Sequence, residues 1–102
     1  MTVSIPILGI PSQRFSVTLD GIVYQLIVRW NSRNGFWSMD WFDAENVAIL
    51  SGMRIVPHYD SLSSFVLAAL PPGKLYAVDP TGENSEIPET WDPFELLYVE
   101  AG

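Results

Sequence analysis

Apolar and polar residues alternate with a period of two along most of the chain, which predicts strands rather than helices. Phe15, Val17 and Leu19 alternate with Ser16 and Thr18, and Asp20-Gly21 follows as the pair that a tight hairpin turn prefers. From Ile22 to Trp30 the strand resumes, with Tyr24, Leu26, Val28 and Trp30 on one face. Its other face, Val23, Gln25, Ile27 and Arg29, is half polar. Asn34-Gly35 marks a second turn within the loop from Asn31 to Gly35. Phe36 to Phe42 then sets Trp37, Met39 and Trp41 against Ser38 and Asp40. After the turn Asp43-Ala44-Glu45-Asn46, a fourth strand runs from Val47 to Val56, with Gly52 read as a bulge or a close backbone approach. Arg14 to Val56 therefore reads as a four-stranded antiparallel meander.

The second half is less regular. Pro57 stops the fourth strand, and His58 to Leu70 is expected to hold a short helical turn with Leu62, Phe65, Val66 and Ala69 inward. Pro71-Pro72-Gly73 breaks it, and Leu75 to Val78 is a short strand ending in the turn Asp79-Pro80-Thr81-Gly82. Gly82 to Pro93 is polar and acidic and carries two prolines, so an exposed or mobile loop is expected there. Phe94 to Glu100 closes the chain as a strand. Thr2 to Leu8 reads as an N-terminal strand interrupted by Pro6, which suits a sheet edge. The expected fold is all-β: one domain over residues 1–102, a small antiparallel barrel or sandwich of six to seven short strands with one short helical turn.

Composition supports a packed core, since 48% of the 102 residues are hydrophobic and only 17% are charged. The absence of cysteine excludes a disulfide framework, a zinc-thiolate site and a thiol nucleophile. No apolar run approaches the roughly 20 residues of a membrane helix, and no basic-then-apolar leader opens the chain. The expectation is a domain made and used without export, with no membrane contact.

Charge is uneven. Up to Val78 five cations (Arg14, Arg29, Arg33, Arg54, Lys74) balance five acids (Asp20, Asp40, Asp43, Glu45, Asp60). Asp79, Glu83, Glu86, Glu89, Asp92, Glu95 and Glu100 then follow without a Lys or Arg, so the whole net charge of −7 sits in that stretch. Such an end repels phosphate backbones, and free nucleic-acid binding is not expected. Two readings stay open for it: an acidic edge meeting a basic partner surface, or a solvated loop kept soluble by its charge.

Candidate chemistry is sparse. His58 is the only histidine, and neither a triad nor a metal site forms without partners converging from elsewhere. Asp40, Asp43 and Glu45 stand near Trp37 and Trp41, as in a glycoside hydrolase, but that chemistry needs two carboxylates at a set separation across a cleft. Asp40 belongs to a polar strand face, and Asp43 and Glu45 read as turn residues. No glycine-rich phosphate cradle and no calcium-loop spacing occurs. No catalytic residue, metal or cofactor is therefore expected.

The aromatic residues are more informative. Tyr24, Trp30, Trp37, Trp41 and Phe42 fall on adjacent strands and suit a core, a sugar-stacking platform or a subunit contact. Large apolar groups lie on both faces of the Ile22–Phe42 hairpin, more than a chain of this length covers well. That favours assembly over solution catalysis.

The ordered set Thr18-Leu19-Asp20-Gly21, Tyr24, Leu26, Arg29-Trp30-Asn31, Gly35-Phe36-Trp37, Met39-Asp40 and Asp43 resembles a family of small phage tail proteins. The likeness continues through Ser51-Gly52-Met53-Arg54-Ile55-Val56-Pro57, Asp60, Leu62, Leu70-Pro71-Pro72-Gly73, Leu75, the Asp79 turn and Leu97-Tyr98-Val99. The family is the cyanophage baseplate plug type of contractile-tailed phages, and the likeness spans roughly Arg14 to Glu100.

That resemblance implies a non-enzymatic structural plug of the tail baseplate, near the central hub and tube end. Its implied place is the virion, after synthesis in the host cytoplasm. Hub, tube and spike proteins would be its partners, with the chain a homo-oligomer or part of a symmetric assembly. Trp30, Trp37, Trp41, Arg54, Glu83, Glu86 and Glu89 are the expected interface residues. The alternative from a different class is a carbohydrate-binding β module using a Trp/Tyr surface platform.

Overall fold

The computed structural model describes residues 2–63, 65 and 69–101. Its strands are β1 (Thr2–Ile5), β2 (Ser12–Leu19), β3 (Ile22–Asn31), β4 (Phe36–Phe42), β5 (Ala48–Arg54), β6 (Lys74–Val78) and β7 (Glu95–Val99). They form two antiparallel sheets, β2-β3-β4-β5 and β1-β7-β6, that are not closed into a barrel. The fold is a β-sandwich.

The meander is as its alternation predicts. Asp20 and Gly21, at φ 52° and 77°, make the two-residue turn between β2 and β3, and the register runs unbroken from Leu19↔Ile22 to Ser12↔Arg29. In β5, Ser51 and Gly52 together oppose Asp40, because Met39 pairs with Met53 while Trp41 pairs with Leu50. Gly52 takes φ 73° in this bulge, a conformation a side chain resists, and its N–H donates to Asp40 Oδ1 at 2.7 Å. The strand from the N-terminus is indeed an edge, paired with β7 from Thr2↔Val99 to Ile5↔Leu96.

The core lies between the sheets. The four-stranded sheet contributes Leu19, Tyr24, Leu26, Val28, Trp37, Met39, Trp41 and Met53, and the other contributes Ile5, Leu75, Ala77, Leu96 and Tyr98. Burying a side chain such as Leu or Met fully stabilises the fold by about 1.5–3 kcal/mol. These positions are therefore what holds the layers together.

The segment after β5 departs from expectation. No helix occurs among the described residues, and the expected helical turn is reduced to i→i−3 bonds from Ser63 N to Asp60 O (3.2 Å) and Phe65 N to Leu62 O (3.1 Å). The cause is competition for backbone donors. His58 N and Ser61 N donate to Ala77 O and Leu75 O of β6 at 2.7 and 2.8 Å, so the chain tracks the strand edge instead of coiling. Asp60 Oδ1 reinforces this by accepting Leu62 N and Leu75 N, both at 3.0 Å. Leu62 is buried and Phe65 half-buried, but Ala69 is exposed rather than inward, and Val66 lies outside the described residues.

Candidate functional site

Trp30, Trp37, Arg54 and the acidic glutamates lie toward one end of the sandwich, where the β3–β4 turn, the end of β5 and the acidic segment 79–95 meet. Trp41 instead sits toward the other end of β4, paired with Leu26 and Leu50. Trp37, Arg54 and Glu86 line one crevice together with Gly35, Phe36, Ile55, Pro57 and Ile87. Its volume of about 20 Å³ admits a water and little more, so it is a seam between elements and not a ligand pocket. Trp30 borders an open groove beside it with Arg29, Asn31, Ser32, Arg33 and Ser38. Glu83 borders a third, with His58, Asp79, Gly82, Asn84 and Ser85.

Behind these surfaces runs a file of rings. Trp30 packs edge-on to Trp37 (5.6 Å between centroids), Trp37 to Trp91 (5.6 Å), Trp91 against Phe94 (6.4 Å) and Phe94 against His58 (5.5 Å). Such edge-to-face pairs add about 0.5–1.5 kcal/mol each beyond the area they bury. Trp37 Nε1 also donates to Pro88 O at 2.8 Å. The acidic segment is thus built on buried Ile87, Trp91 and Phe94, while Glu83, Glu86, Glu89, Asp92 and Glu95 point outward.

Two expected interface residues need correction. Trp37 and Trp41 are both 0% exposed, so neither offers a surface to another subunit in the folded chain. Tyr24, packed edge-on to Trp41 at 5.5 Å, is buried as well, so three of the five aromatic residues expected for a sugar-stacking platform lie inside. Their side of the sheet was read correctly as one face, but that face is the inner one. Trp30 remains half-buried, and Arg54, Glu83, Glu86 and Glu89 are exposed.

The acids with possible chemical roles are held in separate structural tasks. Asp40 pairs with Arg29 Nη2 at 3.2 Å while accepting the Gly52 N–H. Asp43 Oδ1 accepts Glu45 N (3.0 Å) and Val47 N (2.9 Å), as a turn residue does. His58, at φ 63°, places Nε2 3.0 Å from Asn84 O and tethers the acidic turn. Among the described residues no group of three or more His, Asp or Glu side chains is placed to hold a metal.

Asp79 organises that turn. Its Oδ1 accepts Thr81 N (2.9 Å) and Thr81 Oγ1 (2.7 Å), and its Oδ2 accepts Asn84 N and Asn84 Nδ2, each at 2.9 Å. Burial pushes the carboxyl up, but these four bonds to the ionised form outweigh it and hold the pKa well below the ordinary carboxylate value. Sequence spacing hinted at a turn here but not at the partners. Nor did it single out Trp91, whose immediate neighbours are polar or proline and which packs against Trp37 from a distant strand.

The outer face of the four-stranded sheet completes the site. Register places Arg14, Ile27 and Asp40 in one row across it, Arg29, Ser38 and Arg54 in the next, and Gln25 with Phe42 in a third. Arg14 lies over the Phe42 ring at 5.8 Å and Arg54 over Phe36 at 5.0 Å. Arg14 also donates to Gln25 Oε1 at 2.9 Å and to Asn46 Oδ1.

The family described as cyanophage baseplate Pam3 plug gp18 matches the chain over residues 2–100. The chain belongs to the cyanophage baseplate plug family. The match takes in the acidic segment and both sheets. No curated protein matches the chain. Membership of the baseplate plug family carries a structural role, a place in the phage virion's tail baseplate and contact with other baseplate components.

Proposed function

We propose that this chain is a passive, non-enzymatic plug of a contractile tail baseplate, seated near the central hub and the end of the tube. Family membership over residues 2–100 is the observation that carries the reading. What supports it physically is a rigid body with its large aromatic groups inside and its charges outside. The exposed arginine of β5 and Glu86 flank one seam, Glu83 borders a neighbouring groove, and with the exposed Glu89 and half-buried Trp30 they form the contact surface for hub, tube and spike proteins. The chain is made in the host cytoplasm and built into the tail there.

Co-expression with the hub, tube and spike proteins, followed by light scattering on the purified complex, tests this. Incorporation is expected, and it should weaken in Arg54→Glu and in the triple variant Glu83→Lys/Glu86→Lys/Glu89→Lys, each folding normally. A folded chain that joins none of these proteins would overturn the proposal.

A further inference from the structure

Exposed charge is divided between elements: only Arg54 comes near the acidic segment, sharing a crevice with Glu86 without an ion pair between them among the described residues. All four arginines belong to the four-stranded sheet or its β3–β4 turn, while Glu83, Glu86, Glu89, Asp92 and Glu95 are exposed along the segment that leads into β7. Among the described residues the one ion pair is Arg29–Asp40, so Arg14, Arg33 and Arg54 form none with the acidic segment of their own chain. Arg14 and Arg54 instead lie over Phe42 and Phe36. On this sheet face Val23 is 43% exposed. Arginine over an aromatic ring beside exposed apolar area is the composition of an interface centre rather than of a solvated surface.

We propose that the arginine-bearing outer face of the β2–β5 sheet docks the acidic segment 83–95 of a second copy of this chain. The two surfaces differ, so the contact is head-to-tail and propagates to a third copy unless the rotation closes a ring. The net charge of −7 repels copies at long range. That repulsion is screened beyond a Debye length of about 8 Å at physiological ionic strength, whereas arginine–carboxylate contacts at hydrogen-bond distance are not. Because the acidic segment is already fixed by Trp91, Ile87 and Phe94, its carboxylates meet the arginines with little further ordering. The inference does not rest on the baseplate reading, since it concerns the chain by itself.

Sedimentation velocity on the purified chain over a concentration series is the test, with two charge-reversed forms. Arg14→Glu/Arg54→Glu changes the sheet face, and Glu83→Lys/Glu86→Lys/Glu89→Lys changes the segment. All five side chains are exposed, and near-UV circular dichroism verifies that each form is folded. The unaltered chain should associate, each reversed form alone should do so with a roughly tenfold or greater loss of affinity, and their mixture should regain it. If a reversed form is unfolded, the neutral triple variant Glu83→Gln/Glu86→Gln/Glu89→Gln replaces it and should also weaken association. A chain that stays monomeric throughout the series overturns the inference, as does association indifferent to both reversals or a mixture that gains nothing. A monomer that still enters the hub–tube complex overturns it while leaving the plug reading in place.

Discussion

The Tyr98 hydroxyl donates to Asp20 Oδ2 at 2.5 Å and accepts the Gly73 N–H at 2.7 Å, joining the last strand to the first hairpin and to the start of β6. The Asp20 carboxylate also accepts Ala101 N at 3.2 Å, while Asp20 N donates to Glu100 Oε2 at 3.0 Å. One phenol therefore bridges the two sheets. Tyr98→Phe keeps the ring and removes the bridge, and should lower stability by about 1–3 kcal/mol, read from the urea midpoint at neutral pH.

The same phenol sets an alkaline limit. Burial, and then the bond to Asp20, push Tyr98 well above the ordinary tyrosine value of 10.0, and burial with the Asp20 charge pushes Tyr24 in the same direction. The folded state thus holds these protons more tightly than the unfolded one. Their contribution is fully present below pH 10.0 and is lost as pH rises from there toward the folded values. Urea midpoints should fall steeply above that pH in the parent chain and less steeply in Tyr98→Phe.

Trp37 and Trp41 are equally buried but differently bonded. Trp37 Nε1 donates to Pro88 O at 2.8 Å, whereas Trp41 Nε1 has no hydrogen-bond partner among the described residues. Replacing either with Phe leaves a similar void, but Trp37→Phe also strands the Pro88 carbonyl. It should cost about 1–2 kcal/mol more than Trp41→Phe in matched denaturant titrations.

Asp79 governs the acid side. Its pKa is depressed on folding, so its contribution is present above the ordinary value of 3.8 and is lost as pH falls through the folded value. Asp79→Ala should be less stable than the parent at neutral pH, and the gap should narrow on acidification below 3.8, as followed by urea midpoints across a pH series.

The meander was legible because alternation and local turn chemistry both act over a few residues. Asp20-Gly21, Asn34-Gly35 and the Gly52 bulge each mark a conformation that the residue type itself favours. What periodicity does not encode is which face turns inward. Trp37 and Trp41 share one side of β4, yet Trp37 is met there by Trp91 and the Pro88 carbonyl, which arrive from far along the chain. The same holds for β1, whose partner β7 lies at the opposite end of the chain. The stretch from His58 to Leu70 misled for a related reason. Its apolar spacing suits a helix, but the donors of His58 and Ser61 find carbonyls on β6 that no local pattern reveals.

Acidic, proline-bearing segments commonly stay unfolded because too little of them is apolar to offset the entropy of ordering. Segment 79–95 escapes that fate through a few large rings seated among those of the neighbouring sheet. Its glutamates are therefore spaced like teeth on a key rather than smeared over a moving tail. A partner reads their positions as well as their sum, and moving one carboxylate along the segment changes the fit even when the net charge does not.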